Sequence, residues 1–301
     1  MENIFIAGPT AAGKSQIAAV LAQKIGGEII SVDSMQVYRG LDIGTAKPDA
    51  ALRRKVPHHL IDVCELTDSF DAAKFVQFAN RAVAEIRGRK KIAIFCGGTG
   101  LYFKAFLEGL GDAPPANPKL RAELEAVPLE KLLEEIRACD PALYEKIDRQ
   151  NPRRVIRAVE VIRTTGKPFS SLRANWPAQL AISGTPRFFC FTCSDDDLHN
   201  RIDSRVDEMF QRGLVEETRE LLKRGLAKNK IAMQSIGYRQ VVEHLEGERN
   251  LADTIELVKI RTRQFAKRQL TWFRRHGNCQ WIELKPEEPP ENAARKICEI
   301  N

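Results

Sequence analysis

Apolar positions along the N-terminal third of the chain follow two different periods, and each period predicts a different element. Short, nearly continuous apolar runs predict buried strands at 3–7, 28–32, 59–63 and 91–96. Apolar residues at helical spacing predict amphipathic helices at 16–25 and 71–87, the first of which ends at a glycine pair. Strands that alternate with helices imply a parallel sheet with right-handed crossovers. The pattern therefore predicts an α/β fold.

This alternation stops after residue 111. Residues 112–118 form a cluster of proline, aspartate and asparagine that breaks regular structure, and the residues that follow are polar with helical spacing. An apolar run at 187–193 then restores the strand pattern, and the remainder is mainly helical up to a strand predicted at 280–284. We therefore expect a helical insertion domain at 113–185 within a core domain formed by 1–112 and 186–301.

Composition limits the class of protein. The 301 residues are 43% hydrophobic and 29% charged, values typical of a soluble protein with a packed core. No apolar run reaches the roughly 18 residues of a membrane span, and the N-terminus lacks the features of a secretory signal. The seven cysteines have no paired spacing, which argues against a disulfide framework. We expect a cytoplasmic monomer in which Cys190 and Cys193 belong to a core strand, not to a zinc site.

Basic charge is concentrated near the C-terminus. The whole chain has a modest net charge of +7. Between 257 and 276, by contrast, seven basic residues occur without one acidic residue: Lys259, Arg261, Arg263, Lys267, Arg268, Arg274 and Arg275. One-sided charge of this density suits a polyanion such as nucleic acid. The alternative is a basic helix face packed against acidic neighbours.

The strongest chemical signal is a phosphate-binding loop. Gly8-Pro9-Thr10-Ala11-Ala12-Gly13-Lys14-Ser15 matches G-x-x-x-x-G-K-[ST] between a predicted strand and a predicted helix. Glycines allow the backbone to curl until its N–H groups point at phosphate oxygens, and the helix N-terminus adds positive charge. We expect Lys14 to bind the outermost phosphate and the Ser15 hydroxyl to complete the coordination of Mg²⁺. The loop predicts a diphosphate or triphosphate ligand.

The position of the nearest acidic residue distinguishes this loop from that of an ordinary NTPase. Such enzymes place an aspartate after a later strand to organise Mg²⁺, but the strand ending at Cys96 is followed by Gly97-Gly98-Thr99. Asp33 instead follows the strand after the phosphate-loop helix, where a carboxylate can face a second substrate as a general base. A small-molecule kinase could use Asp33 in the same way, and a lone aspartate here is also typical of a turn.

Four motifs carry a resemblance to a known family. Residues 33–48 (DSMQVYRGLDIGTAKP), the loop 8–15, residues 97–102 (GGTGLY) and residues 236–240 (IGYRQ) resemble the signatures of the tRNA dimethylallyltransferase (isopentenyltransferase) family. The resemblance extends from the first strand to about Trp281. It implies a P-loop NTPase-like parallel sheet with flanking helices. The absence of a Cys/His zinc finger after the basic segment favours the bacterial type over eukaryotic relatives.

The resemblance also implies a reaction. Family members transfer the dimethylallyl group of dimethylallyl diphosphate to N6 of the adenosine immediately 3′ of the anticodon, giving N6-isopentenyladenosine and diphosphate. In that reaction the loop 8–15 with Mg²⁺ would stabilise the departing diphosphate. The implied catalytic residues are Asp33, as proton acceptor, and Thr10, Lys14 and Arg205. The last three would also donate hydrogen bonds to the diphosphate. Arg201 lies one turn before Arg205, and its alternative role is ion pairing with Asp203 or Asp207.

A base inside a folded tRNA loop has to be flipped into a pocket while the rest of the RNA is held elsewhere. The resemblance implies tRNA contacts at Asp33, Ser34, Met35, Gln36, Thr99, Arg121, Arg153, Arg154, Val155, Ile156, Arg157, Gln234, Ser235, Ile236, Gly237, Tyr238 and Arg239. Without the resemblance, arginines four apart on a helix are more often a solvated face than an RNA contact.

Two other functions remain as alternatives. A P-loop kinase of a small metabolite would need ATP and no RNA, and the missing late-strand aspartate and the basic segment count against it. A non-catalytic RNA-binding module would leave the intact Gly13-Lys14-Ser15 sequence without a purpose. We therefore expect a tRNA prenyltransferase that uses Mg²⁺.

Overall fold

The computed structural model describes residues 2–172, 174, 187–276 and 278–299. The chain divides into two compact units, one formed by Met1–Leu107 with Ala178–Asn301 and the other by Glu108–Pro177. The C-terminal boundary predicted for the insertion, at 185, lies outside the described residues. The two units are described separately below.

A parallel sheet forms the centre of the first unit. Within the described residues it has six strands, which are β1 Ile4–Ala7, β2 Gly27–Val32, β3 His58–His59, β4 Ile92–Gly97, β5 Phe188–Thr192 and β6 Gln280–Glu283. Their order is β3-β2-β4-β1-β5-β6, and every pairing is parallel. The central strands are buried on both faces, which explains why they are nearly continuous apolar runs in the sequence. The predicted α/β class with a P-loop NTPase-like sheet is confirmed.

Helices cover both faces of this sheet and also form the second unit. In chain order the helices are α1 Lys14–Ile25, α2 Ala50–Lys55, α3 Ala72–Gly88, α4 Gly100–Glu108, α5 Pro118–Glu125, α6 Leu129–Cys139, α7 Pro141–Tyr144, α8 Pro152–Thr165, α9 Phe169–Leu172, α10 Asp195–Gln211, α11 Leu214–Lys223, α12 Tyr238–Leu245, α13 Leu251–His276 and α14 Pro290–Glu299. Successive residues of β1 point to opposite faces, so Phe5 and Ala7 belong to one hydrophobic cluster and Ile4 and Ile6 to the other.

Two sequence predictions of elements were wrong in part. The strand expected at 59–63 is limited to His58–His59, because Leu60 and Asp62 adopt positive φ angles of 62° and 56° and turn the chain out of the sheet. The chain also does not close on its last strand, since α14 follows β6. Its buried face rests on Ala293, Ala294 and Ile297, a small apolar stripe that gave little helical signal.

The second unit is helical and has its own core. Helices α5, α6 and α8 bury Leu124, Leu132, Ile136 and Val159 against one another. Among these apolar residues lies Glu160, a carboxylate that is only 1% exposed. Arg121 binds both of its oxygens at 3.0 Å, and Arg157 donates to it at 2.6 Å. Burial alone would raise the pKa of Glu160, but these hydrogen bonds outweigh burial and hold the pKa below its usual range.

Candidate active site

The loop 8–15 joins β1 to α1 and has the curled backbone that its glycines predict. Gly8 has a φ of 141°, and a Cβ at this position would lie 2.6 Å from the carbonyl oxygen of Phe191. Gly13 caps α1 in the left-handed conformation, with a φ of 75°. Because α1 begins at Lys14, the N–H groups of its first turn have no partner within the helix. The loop therefore offers backbone donors and a helix N-terminus to an anion.

A cavity of about 300 Å³ lies against this loop. Its lining includes several predicted site residues: Thr10, Ala11, Gly13, Lys14, Ser15, Asp33, Gln36, Arg201 and Arg205. Three residues of the loop do not line it: Gly8 and Pro9 shape the backbone, and the side chain of Ala12 is buried in the core. Four further lining residues, Thr45, Ala46, Gly97 and Gly98, lie in the family motifs but were not predicted as site residues. The sequence did not indicate the others: Gln16, Ser31, Cys96, Phe265 and Gln269.

Two cations in this cavity lack a carboxylate partner. Lys14 donates to the carbonyl oxygen of Pro9 at 2.5 Å, and Arg205 donates to the Thr10 hydroxyl at 3.5 Å. Among the described residues, no carboxylate lies within ion-pair distance of either cation. Desolvation lowers the pKa of Lys14 to about 8, although nearby Cys96 and Asp33 act in the opposite direction. Desolvation also lowers the pKa of Arg205. Such cations favour a bound anion.

Asp33 follows β2 and serves two purposes at once. Its Oδ1 accepts hydrogen bonds from the backbone N–H of Met35 at 2.8 Å and of Gln36 at 3.2 Å, which is the turn that a lone aspartate predicts. The same carboxylate lines the cavity. Oδ2 receives no hydrogen bond from the part of the chain that the structure describes. The turn therefore fixes the carboxylate and leaves one oxygen able to accept a proton.

Gln36 connects Asp33's turn to the segment that forms another wall of the cavity. Its Oε1 accepts from the Ser31 hydroxyl at 3.0 Å, and its Nε2 donates to the carbonyl oxygen of Thr45 at 3.2 Å. Thr45 and Ala46 both line the cavity. Gln36 therefore holds two walls of the cavity together.

Tyr238 of the IGYRQ motif packs behind the cavity wall that contains Thr45 and Ala46. Glu217 of α11 accepts hydrogen bonds from the backbone N–H of Ile43 and from the Tyr238 hydroxyl, the latter at 2.5 Å. The N–H of Gly44 donates to the same hydroxyl at 3.1 Å. A Cβ on Gly44 would lie 2.6 Å from the Tyr238 ring. Burial and the neighbouring Glu217 raise the pKa of Tyr238, so its hydroxyl stays protonated and donates. This part of the motif builds the cavity wall.

Helix α13 packs closely against the phosphate loop through Gln269. The Oε1 of Gln269 accepts from the backbone N–H of Thr10 at 2.8 Å, and its Nε2 donates to the carbonyl oxygen of Gly98 at 3.0 Å. A Cβ on Gly98 would lie 2.1 Å from Nε2, and one on Gly100 would lie 2.2 Å from the Trp272 ring. The glycines of the GGTG motif are therefore needed for this close approach. The only sequence signal for Gln269 was an amide within the apolar stripe of Ala266, Leu270 and Phe273.

Arg201 lines the cavity, whereas Asp203 and Asp207, which lie near it in the sequence, form ion pairs with other residues. Arg201 lines the cavity and pairs with Asp197 at 2.8 Å. Its expected alternative partners pair elsewhere: Asp203 binds Arg263 at 2.6 Å and Asp207 binds Lys259 at 2.8 Å. Two cations of the basic segment are thus packed against acidic neighbours, whereas Lys267, Arg268, Arg274 and Arg275 are exposed.

The residues predicted to contact tRNA lie in different environments. Near the cavity, Ser34, Met35 and Thr99 are half-buried. Of the segment 234–239, Gln234 and Arg239 are exposed, Ile236 is half-buried, and Ser235, Gly237 and Tyr238 are buried. In the helical unit Arg153 and Arg154 are exposed and Ile156 is half-buried.

Two of these side chains require a correction. Val155 and Tyr238 are completely buried. The Val155 side chain belongs to the core of the helical unit, and the Tyr238 hydroxyl is engaged by Glu217. Neither side chain can reach an RNA without unpacking its core. Arg121 and Arg157 are likewise engaged, since both bind Glu160.

Within residues 2–172, 174, 187–276 and 278–299, no three His, Cys, Asp or Glu side chains come together as a metal-binding group. In the same residues, no helix is long and apolar enough to cross a membrane. Cys190 and Cys193 are buried thiols, and burial raises the pKa of Cys193 to about 11.

Comparison with known proteins gives a consistent answer. A family model described as IPP transferase matches residues 36–276. A tRNA dimethylallyltransferase 1 of Trichlorobacter lovleyi is 45% identical over 97% of this chain and 95% of its own. A tRNA dimethylallyltransferase of Geobacter metallireducens is 43% identical over 93% of this chain and 92% of its own.

Solved structures agree with the sequence comparisons. The full-length tRNA isopentenylpyrophosphate transferase of Bacillus halodurans superposes with a TM-score of 0.70 at 37% identity, covering 99% of this chain and 94% of its own. A eukaryotic dimethylallyltransferase acting on tRNA superposes with a TM-score of 0.77 at 28% identity, covering 94% of this chain and 73% of its own.

Proposed function

We propose that this chain, which belongs to the IPP transferase family of tRNA dimethylallyltransferases, transfers the dimethylallyl group of dimethylallyl diphosphate to N6 of the adenosine immediately 3′ of the anticodon in tRNA. One observation carries the chemistry: Lys14 and Arg205 line a cavity without a carboxylate partner among the described residues, and a fixed carboxylate, Asp33, lines the same cavity. The products are N6-isopentenyladenosine and diphosphate.

The two cations act on the leaving group. As the allylic C–O bond breaks, its electron pair goes to the diphosphate, whose negative charge increases. Donors that are already in place stabilise this charge without further reorganisation. The backbone N–H groups of the loop 8–15, the Lys14 ammonium and the Arg205 guanidinium supply such donors, and Thr10 meets Arg205 in the same cavity.

Asp33 acts on the nucleophile. The exocyclic amine of adenine is a weak nucleophile because its lone pair is delocalised into the ring. The new C–N bond forms between this nitrogen and the allylic carbon, and the proton that the nitrogen loses passes to the carboxylate. Oδ1 is held by the backbone of Met35 and Gln36, so we assign the proton to Oδ2.

Ser15 suits a magnesium ion. Its hydroxyl is exposed at the first turn of α1 and lines the cavity. Magnesium commonly takes one or two protein ligands and fills its other positions with phosphate oxygens and water. Ser15 would hold the ion, which would neutralise part of the charge on the leaving group.

The tRNA is held by residues outside the cavity. We assign backbone and phosphate contacts to exposed groups: Arg153 and Arg154 of the helical unit, Gln234 and Arg239, and the exposed cations of α13. The half-buried turn residues Ser34, Met35 and Gln36, with Thr99, would surround the flipped adenosine. The buried residues of the segments 153–157 and 234–239 would support these contacts by maintaining the fold.

A single assay separates prenyl transfer from the kinase alternative. Incubation of the protein with unmodified tRNA, Mg²⁺ and labelled dimethylallyl diphosphate should place the label on the adenosine next to the anticodon. Replacing that adenosine by guanosine in the same tRNA is the matched control and should abolish labelling. Turnover of ATP without any labelled tRNA would contradict the proposal and favour a kinase.

A further inference from the structure

Gln269 lines the cavity, and the reaction described above does not use its contacts. It lies in the middle of α13 and is 8% exposed. Its amide oxygen accepts from the N–H of Thr10, and its amide nitrogen donates to the carbonyl oxygen of Gly98. The side chain thus joins the phosphate loop to the loop that follows β4. Both partners also line the cavity.

The chemistry of this position is specific to an amide. One side has to accept a hydrogen bond from an N–H and the other has to donate one to a carbonyl oxygen. A carboxylate can accept from Thr10 but faces the Gly98 carbonyl with a second negative oxygen. An aliphatic side chain would remove the hydrogen bonds of both the part-buried Thr10 N–H and the buried Gly98 carbonyl. The side chain of Asn is one carbon shorter, so it cannot span both partners.

Thr10 transmits the effect of Gln269 to the reacting atoms. Its backbone is held by Gln269, and its hydroxyl accepts a hydrogen bond from Arg205 at 3.5 Å. The position of the hydroxyl, and with it the direction of the guanidinium, therefore depends on the amide. We propose that Gln269 is a positioning residue that holds Thr10 so that its hydroxyl and Arg205 converge on the departing diphosphate. This inference rests on the proposed prenyl transfer.

The effect should fall on the rate of transfer more than on diphosphate binding. Apart from the N–H of Thr10, which Gln269 engages, the bound diphosphate is held mainly by the other backbone N–H groups of the loop and by Lys14, and Gln269 contacts neither. Donors that improve only as charge develops change kcat without changing ground-state affinity. Removal of one such donor typically lowers kcat by about 100- to 1000-fold. Misplacing a donor without removing it should cost less, on the order of 30-fold.

The test compares Gln269→Leu with Gln264→Leu, a variant of an exposed glutamine on the same helix. The measurements are kcat for prenyl transfer, KM for tRNA, Kd for inorganic diphosphate and the melting temperature. We expect Gln269→Leu to lower kcat roughly 30-fold while Kd stays within about threefold, and Gln264→Leu to behave as wild type. An unchanged kcat would overturn the inference, as would a parallel loss of diphosphate affinity.

Two further measurements separate positioning from a merely structural role. If Gln269→Leu does not fold, Gln269→Met offers a flexible side chain of similar length and carries the same expectation. In a Thr10→Val background, which lacks the hydroxyl, the Gln269 substitution should lower kcat by less than about threefold. Additive losses would show that Gln269 does not act through Thr10. Failure of the wild-type protein to prenylate tRNA would refute the proposed function instead.

Discussion

The cations of the cavity and those of the helical unit look alike in the sequence, yet they have opposite surroundings. In the helical unit, Arg121 and Arg157 converge on the buried carboxylate of Glu160. In the cavity, Lys14 and Arg205 share desolvated surroundings but have no carboxylate partner within the described residues. Hydrogen bonds from arginines hold the pKa of Glu160 low despite its burial, whereas desolvation lowers the pKa values of Lys14 and Arg205.

This contrast identifies a ligand site without any bound ligand. A buried charge that the protein satisfies contributes to folding, and removing its partner destabilises the fold. A half-buried, desolvated charge without a carboxylate partner among the described residues, as at Lys14 and Arg205, is a cost of folding that an anionic ligand can offset. We therefore expect substitutions in the cavity to lower activity at nearly constant stability, and substitutions around Glu160 to do the reverse.

The largest effect should come from Asp33, the carboxylate that shares the cavity with Lys14 and Arg205. Asp33→Ala removes the proton acceptor, so we expect transfer to fall by at least about 1000-fold, within the range for general bases. The Kd for diphosphate should change only a few-fold, because the cradle is intact. Single-turnover transfer with labelled substrate measures the first and calorimetry the second. Retention of a tenth of the normal rate would show that Asp33 is not the base.

The next prediction compares an arginine of the cavity, Arg205, with an arginine of the helical unit, Arg157. Arg205→Ala should lower kcat by about 100-fold or more, since a charged donor to the leaving group is lost, and should leave the free energy of unfolding almost unchanged. Arg157→Ala should keep kcat within a few-fold but lower the free energy of unfolding by about 1–3 kcal/mol, because a hydrogen bond to a buried carboxylate is lost. Urea denaturation and steady-state kinetics on both variants measure the contrast.

Because of Glu160, the stability of these two variants should depend differently on pH. Because the pKa of Glu160 is lower in the folded than in the unfolded protein, its contribution to stability is present above the unfolded value and is lost as the pH falls through the folded one. Removing Arg157 raises the folded pKa and reduces that contribution. The stability deficit of Arg157→Ala should therefore be largest at neutral pH and shrink in acid, whereas Arg205→Ala should show no such trend. A stability deficit that does not change with pH would show that Arg157 does not stabilise the protein through Glu160.

The sequence predicted the features that depend on neighbouring residues, but not the contacts between residues far apart in the chain. The loop 8–15, Asp33 and the central strands were predicted because short motifs and periodic burial are local properties. Gln269 was not, because its partners are backbone atoms 259 and 171 residues away. Only the family resemblance distinguished Arg205 from Arg157 in the sequence, and it assigned Arg157 to tRNA, since only the folded chain shows that Arg157 meets a carboxylate. Residues 234–239 were all predicted to contact tRNA, although Tyr238 is buried against Glu217.

A smaller effect concerns pH and Lys14. With a pKa of about 8 in the free protein, Lys14 is charged below pH 8 and loses its proton as the pH rises. The phosphates of dimethylallyl diphosphate are fully ionised well above pH about 6, so their charge is constant in this range. Affinity for this ligand should be level below pH 8 and about tenfold weaker at roughly pH 9. Lys14→Arg keeps its charge and is the matched control. Equal pH profiles for the two proteins would contradict the lowered pKa.

The smallest effect tests whether the exposed cations of α13 form a third region that binds RNA. Lys267 and Arg268 are exposed, unlike Lys259 and Arg263, which pair with α10. Each phosphate contact contributes about 0.7–0.9 to the slope of log affinity against log salt, so Lys267→Glu with Arg268→Glu should weaken tRNA binding and lower this slope by between about 1 and 2. Lys24→Glu with Lys90→Glu changes the net charge equally at exposed positions elsewhere and serves as the control. A slope that stays the same in the α13 variant would leave this helix with its packing role alone, through Gln269 and Trp272.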